Sequence, residues 1–297
     1  MTGPATPWAF RPSPPAFRIR IKRLACRLTR RRAPPRWRTI RPVTPAARWN
    51  VLFLYAPQGA LDADQRRILA RVRRLDGSLL VVLACPDIAH PVVPDGADAI
   101  IVKELSGFDF SAYRLALDAI AGASPGAVAY VQNDSVLGPF GDVDRLVRDA
   151  PWDLTGFIAT RAVENHLSSF AFVLRDVTPA RLAALTPILS SRWSCDDPTA
   201  VILLQETRLA RVAARRMSVG AYWYVPTAPL REPIVRRVLA RAGGRAAQID
   251  TAGDATLACP VALLDAGFPY LKRSLFTKFA GLHAPVALKA ALSAQDW

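Results

Sequence analysis

Two short phrases carry the residues most able to do chemistry. They are Gly107-Phe108-Asp109-Phe110-Ser111-Ala112-Tyr113 and, downstream, Val131-Gln132-Asn133-Asp134-Ser135-Val136-Leu137-Gly138-Pro139-Phe140. Asp109 lies close behind a glycine, and Asp134 ends the apolar run that begins Ala127-Val128-Ala129-Tyr130-Val131. Such a run reads as a buried strand, and a polar stop followed by Gly-Pro terminates it. In an open α/β sheet ligands collect just past the carboxyl ends of strands, where an acid can hold a cation against a diphosphate. Asp134, with Asn133 and Ser135 beside it, is therefore the first candidate for a nucleotide-sugar site. Short polar residues in this pattern also build Asx-type turns, so that structural role stands beside the chemical one. Asp109, at a helix start, could cap the helix or contact a ribose or donor sugar. Gly107 permits close backbone approach, and Tyr113 is expected in the core instead of stacked on a base.

The pattern around these phrases supplies elements to position them. Asn50 to Tyr55 reads as a strand, and residues 62–75 as a helix with Ile68, Leu69, Val72 and Leu75 on one face. Strands follow at residues 79–84 and 99–102, then a helix over 110–120 that leads into the strand at Ala127. Strands alternating with helices predict an α/β fold, with a doubly wound, mostly parallel sheet flanked by helices. Residues 49–150 would form a nucleotide-binding half, and residues 151–297 a second half with C-terminal helices. There is no GxGxxG after the first strand and no GxxxxGK[ST], which disfavours a dinucleotide oxidoreductase and a P-loop phosphotransferase.

The 297 residues have room for one large α/β domain with an appendage, and the charge locates the appendage. Thirteen of the 39 Lys and Arg lie in residues 1–49, which contain no acid, so the remainder holds 26 bases against all 24 acids. Residues 1–48 therefore read as a basic, Pro-rich leader, either disordered or forming a short amphipathic helix over residues 17–32. Such a helix is attracted to anionic lipid headgroups at about 1 kcal/mol per basic residue near the surface. Nucleic acid is disfavoured as a partner, because the rest of the chain is nearly neutral and has no basic stripe interleaved with aromatics. No apolar run approaches the ~20 residues that cross a bilayer. The start lacks the apolar core of a signal peptide, so the expected location is cytoplasmic, peripheral on the inner membrane face. Cys26, Cys85, Cys195 and Cys259 lie far apart without CxxC or Cys/His spacing, as in a reduced protein without a zinc site.

The order of five phrases resembles the rhamnan synthesis protein F family of bacterial polysaccharide glycosyltransferases. They are Gly107-Phe108-Asp109-Phe110 with Tyr113; Asn133-Asp134-Ser135 with Gly138-Pro139; Trp152-Asp153-Leu154-Thr155-Gly156; His166-Leu167-Ser168-Ser169-Phe170-Ala171-Phe172-Val173; and Gly267-Phe268-Pro269-Tyr270-Leu271-Lys272-Arg273. The resemblance spans about residues 50–276 and departs from the family pattern at Lys103-Glu104-Leu105-Ser106 and at Ser168. It implies a GT-A-like fold in which a nucleotide-sugar donor lies over the first strands, in residues 49–150, and a glycan or lipid-linked acceptor approaches from the second half, residues 151–297. In that frame Asp134 is the metal ligand, for Mg²⁺ or Mn²⁺, in the place of an Asp-x-Asp motif. A single carboxylate would hold the free ion weakly.

Inverting sugar transfer needs a general base to take the acceptor hydroxyl proton. The resemblance implies an acid at the start of the helix after the sixth strand. Residues 166–175 read as that strand and residues 203–211 as that helix, which makes Glu206 the base candidate. Asp197, next to Asp196 in the preceding loop, competes with it, although paired acids beside Pro198 also read as a cap and turn. The family position suggests a donor or acceptor contact for His166. Residues 262–267 read as a helix ended by Gly267, and a second helix is predicted to restart at Phe268. Lys272 and Arg273 at such a start would have a purpose beyond the helix, such as pairing with the donor diphosphate.

Overall fold

The computed structural model describes residues 7–161, 163–224 and 254–297. The chain begins with β1 (Trp8–Ala9), α1 (Phe17–Thr29), β2 (Arg31–Arg32) and β3 (Trp37–Arg41). The alternating half follows as β4 (Arg48–Tyr55), α2 (Ala63–Val72), β5 (Ser78–Ala84), β6 (Ala99–Lys103), α3 (Phe108–Ala123) and β7 (Ala127–Asn133). Next come β8 (Val136–Leu137), α4 (Val143–Arg148), β9 (Leu154–Thr160), β10 (His166–Leu167) and β11 (Ala171–Val177). After α5 (Pro179–Leu185) and β12 (Ser194–Cys195), α6 (Pro198–Val201) passes through a five-residue π-helix (Ile202–Glu206) into α7 (Thr207–Ala213) and β13 (Val219–Tyr224). The C-terminal segment holds α8 (Ala255–Ala258), α9 (Pro260–Asp265), β14 (Leu271–Lys272), a 3₁₀ turn (Arg273–Phe276) and α10 (Pro285–Ser293).

Among the described residues the central sheet runs β1-β13-β9-β11-β7-β4-β5-β6-β3, with β10 paired to β9. Strands β4, β5, β6 and β7 are parallel, β9 and β13 are parallel, and β11 runs against both its neighbours β7 and β9. The expected α/β class with a mostly parallel sheet flanked by helices is present. Both faces of the sheet are covered, which is why its strands read as continuous apolar runs. On β4, Trp49, Val51 and Phe53 join Phe110, Tyr113, Leu117 and Ile120 of α3 on one side. Leu52 and Leu54 join Ile68, Leu69 and Val72 of α2 on the other. A smaller C-terminal cluster packs Leu137, Phe140, Leu264, Leu271, Leu275 and Leu288.

The leader is more closely integrated than the boundary at residue 49 suggests. Of the two alternatives left open for residues 17–32, the structure has the helix, α1, while β1 and β3 are edge strands of the central sheet, antiparallel to β13 and β6. Edge positions suit β3, whose exposed Arg38 and Arg41 blunt further strand pairing. Two further expectations are corrected. Residues 166–175 are not one strand, because β10 and β11 are separated by residues 168–170. The helix expected to restart at Phe268 is absent, and Leu271 and Lys272 pair as β14 with Leu137 and Val136 of β8. Gly267 does end α9 with positive φ, and the N–H groups of Gly267 and Phe268 close back on the Leu264 and Leu263 carbonyls. Among the described residues no helix is long and apolar enough to cross a membrane.

Candidate functional site

Because β4 to β7 run parallel, their carboxyl ends share one edge of the sheet, and residues 168–170 return there to start the antiparallel β11 opposite Gln132. Here the fold brings together Asp109, Asn133, Ser169 and Glu206. Asn133 Nδ2 donates to Asp109 Oδ2 at 3.0 Å, while the other Asp109 oxygen accepts from the Phe110 N–H at 3.0 Å. Glu206 Oε1 accepts from the Ser169 N–H at 3.0 Å and from Ser169 Oγ at 3.1 Å. Burial first, and the neighbouring Glu206 charge second, push the Asp109 carboxyl up to about 7. Asp109 and Glu206 nevertheless keep partial exposure.

An unusual backbone turn introduces Asp109. Gly107 (φ 82°) and Phe108 (φ 47°) are consecutive left-handed residues, and only the first is a glycine. The turn is held from both sides. Gly107 N–H donates to the Asp196 carboxylate, and the fully buried Lys103 donates through Nζ to the carbonyls of Glu104 at 2.8 Å and Ser106 at 2.6 Å. Burial lowers the Lys103 ammonium to about 8, against the opposing pull of Asp196 and Asp109. Glu206 ends the π-helix, a local widening of the helix that often marks functional sites. Tyr113 is fully buried, donating its hydroxyl to the Ser169 carbonyl at 2.9 Å, and so belongs to the core as expected.

Asp134 sits one residue past β7, but its carboxylate faces the protein. Oδ2 accepts from the Tyr55 N–H at 2.9 Å and from Gln65 Nε2 at 2.5 Å. Gln65 also completes the capping box of α2 with Asp62. Burial pushes the Asp134 carboxyl up, against those two bonds. Asn133 Oδ1 accepts from the N–H and hydroxyl of Ser135, so the Asx-type turn is formed as well. The donor set fits a divalent cation poorly. One oxygen of the single carboxylate already takes two N–H donors, and among the described residues no three His, Cys, Asp or Glu are grouped to hold a metal.

The two C-terminal cations flank this turn, with Lys272 capping and Arg273 opening the 3₁₀ turn rather than the helix expected from Phe268. Arg273 Nη1 donates to the Asp134 carbonyl at 3.3 Å, and Nη2 pairs with Asp62 at 2.7 Å. Lys272 pairs with Asp254 at 2.8 Å. Burial opposes the charge of Lys272, but Asp254 and Glu206 outweigh it and hold the ammonium above its usual range. A cavity of about 170 Å³ opens beyond the carboxyl ends of β4 and β5, between Gly59, Ala60, Cys85, Asp87 and Val92, and does not reach Asp134.

Two expected residues lie elsewhere. Asp197 Oδ1 caps α6 by accepting the Ala200 N–H at 2.8 Å, and its other oxygen lies 4.0 Å from Arg30. The cap, the structural alternative for that loop, is its observed role. His166 is buried in β10, with Nδ1 donating to the Glu164 carbonyl at 2.7 Å. The sequence reading passed over Lys103, Gln65 and Ser169 as site residues. The Asp62-x-x-Gln65 spacing ahead of an apolar-periodic helix is a capping-box signal that identifies Gln65. Neither Lys103 nor Ser169 has a comparable local mark.

Compared with protein-family models, with curated proteins and with solved structures, the chain has no match.

Proposed function

We propose that the chain is an inverting glycosyltransferase of GT-A-like fold, which moves a hexose or deoxyhexose such as rhamnose from a nucleotide-sugar to a surface polysaccharide or lipopolysaccharide precursor. The observation that carries this reading is the meeting of Glu206 and Asp109, from opposite halves of the chain, at the carboxyl edge of the sheet. Numbered along the chain, the strands β4, β5, β6, β7, β9, β11 and β13 lie in the order 3-2-1-4-6-5-7 with the sixth reversed, an order that a GT-A-like fold accommodates.

In this reading Glu206 is the general base. Its Oε1 is steadied by the two Ser169 donors, so the remaining oxygen takes the proton of the acceptor hydroxyl. The acceptor oxygen bonds to the anomeric carbon as the bond from that carbon to the diphosphate oxygen breaks. The nucleoside diphosphate leaves with the electron pair. Asp109, held by Asn133, faces the donor sugar, and Lys272 and Arg273 would reach the leaving diphosphate only by exchanging their ion pairs with Asp254 and Asp62. The small cavity beyond β4 and β5 is too small for a whole nucleotide-sugar and suits a base. No step is assigned to a metal ion.

One observation favours a second reading, a non-catalytic glycan- or nucleotide-sugar-binding component of an assembly system. Lys272 and Arg273 are already neutralised by Asp254 and Asp62. Radiolabel transfer from UDP-, GDP- and dTDP-sugars to membrane-extracted acceptor separates the two. Transfer by the wild type, cut about 100-fold or more in a folded Glu206→Gln protein, supports the enzyme. Saturable donor binding without turnover by the wild type supports the binding component.

A further inference from the structure

Helix α1 is built inside out. Ile19, Arg23 and Cys26 face the protein, and Arg23 is the residue among them that is fully buried. Its Nε donates to the Leu203 carbonyl at 2.8 Å, its Nη2 to Thr207 Oγ1 at 2.8 Å, and its guanidinium pairs with Glu164. The opposite face carries Phe17, Ile21, Leu24 and Leu28, which are 75%, 54%, 57% and 78% exposed. Their spacing of four, three and four residues makes a single stripe, and at 100° per residue it lies diametrically across from Ile19, Arg23 and Cys26. A helix on a water-facing surface normally shows the reverse distribution. Four large apolar side chains in one exposed row mark a surface that meets something.

The flanks of the stripe say what. Arg20 and Arg27 project on one side and Arg18 and Lys22 on the other, all exposed, and Arg30, Arg31 and Arg32 follow at the C-terminal end. Residues 1–49 contain no acid to offset them. An apolar row bordered by cations on both sides matches a surface with an apolar interior and anionic headgroups. A second copy of the same face is disfavoured, because a two-fold pairing would set these cations against their own copies. A nucleic acid would use the cations and leave the apolar row in water.

We infer that α1 lies in the plane of an anionic lipid surface, with Phe17, Ile21, Leu24 and Leu28 set among the acyl chains and the flanking Arg and Lys among the headgroups. This docking is independent of whether the chain transfers sugar.

The test is cosedimentation of the full chain with phosphatidylcholine vesicles and with vesicles that also contain phosphatidylglycerol. The wild type is expected to sediment with the anionic vesicles and to be released by salt. The double variant Ile21→Asp, Leu24→Asp is expected to bind about tenfold or more weakly. Both positions are exposed, so its urea unfolding should match that of the wild type. Equal binding by wild type and double variant overturns the proposal, as does failure of the wild type to bind anionic vesicles. It is also overturned by sedimentation velocity in which the wild type forms a lipid-free dimer that the double variant dissolves, or by RNA displacing the vesicles while the double variant keeps its RNA affinity.

Discussion

The pairing of Asp109 with Glu206 makes a quantitative statement about stability against pH. The Asp109 carboxyl stands at about 7 in the folded chain, against an ordinary 3.8, with burial the first cause and Glu206 the second. A carboxyl raised on folding binds its proton more tightly in the native state. Stability from this group is therefore fully present below about pH 4 and drains away as pH rises toward 7. Converted in full, the rise corresponds to about 4 kcal/mol, of which about two thirds falls between pH 5 and pH 8. Asp109 keeps some contact with solvent, which screens the interaction and leaves about 1–2 kcal/mol in that window.

Asp109→Asn has no charge to bury at any pH and preserves the size of the side chain. Urea unfolding of both proteins at about pH 5 and about pH 8 isolates the group together with its coupling to Glu206, because the titrations of uncoupled groups cancel in the difference. The variant should gain about 1–2 kcal/mol on the wild type between the lower and the higher pH. In a Glu206→Gln background the gain should shrink, since the second cause of the shift is gone. A wild-type-minus-variant difference that is flat across this range would refute both the burial of Asp109 and its pairing with Glu206.

Two further outcomes follow from the packing. Arg23→Met leaves the buried Glu164, among the described residues, with Arg211 at 3.4 Å as its ion-pair partner, and frees the Leu203 carbonyl. Urea unfolding should show a loss of about 3–5 kcal/mol, and a loss below about 1 kcal/mol would mean that α1 rests loosely on the π-helix. Gly220→Ala would drive its Cβ into the Trp152 ring, so thermal unfolding should show about 1–3 kcal/mol of destabilisation, and an unchanged melting temperature would disprove that approach.

The half of the fold that was legible in the sequence owes its clarity to two-sided burial. Strands β4, β5, β6 and β7 are covered above and below, so each reads as an unbroken apolar run, and the helices between them begin at short polar caps or at Gly107. Tertiary contacts override the local pattern elsewhere. Residues 166–175 look like one strand, but Glu206 takes the Ser169 N–H and the chain turns there before β11. Residues 268–273 look helical, but the Pro269 carbonyl accepts the Phe140 N–H and Tyr270 meets the Tyr130 hydroxyl at 2.7 Å, which holds the segment extended against β8. The strand direction of β11 has no signature in sequence at all. At the site, Asp109 and Asn133 stood out because they flank recognisable punctuation. Asp134 stood out for the same reason, yet its carboxylate serves the backbone of Tyr55 and the cap of α2. The apolar or polar character of a position does not reveal which way its side chain turns.

The base candidate is placed by contacts from both ends of the chain order. Ser169, at the entry to β11, fixes the Glu206 carboxylate, while Arg23 of α1 binds the Leu203 carbonyl and the Thr207 hydroxyl on either side of it. An α-helix satisfies its own carbonyls, but a π-turn disturbs that ladder and leaves oxygens available to an outside donor. Arg23 is such a donor, and its burial is stabilised by Glu164, so the leader cannot leave without exposing a carbonyl of the π-turn and stranding a buried acid. The inner face of α1 therefore belongs to the machinery of the site, although its composition alone marks it as a detachable basic tail. The outer face points the other way, so a surface engaged by Phe17, Ile21, Leu24 and Leu28 lies one helix diameter, about 10 Å, from the turn that carries Glu206. If the acceptor is lipid-linked, that spacing puts its headgroup region beside the proposed base, and the same helix would both dock the chain and brace the turn that carries Glu206.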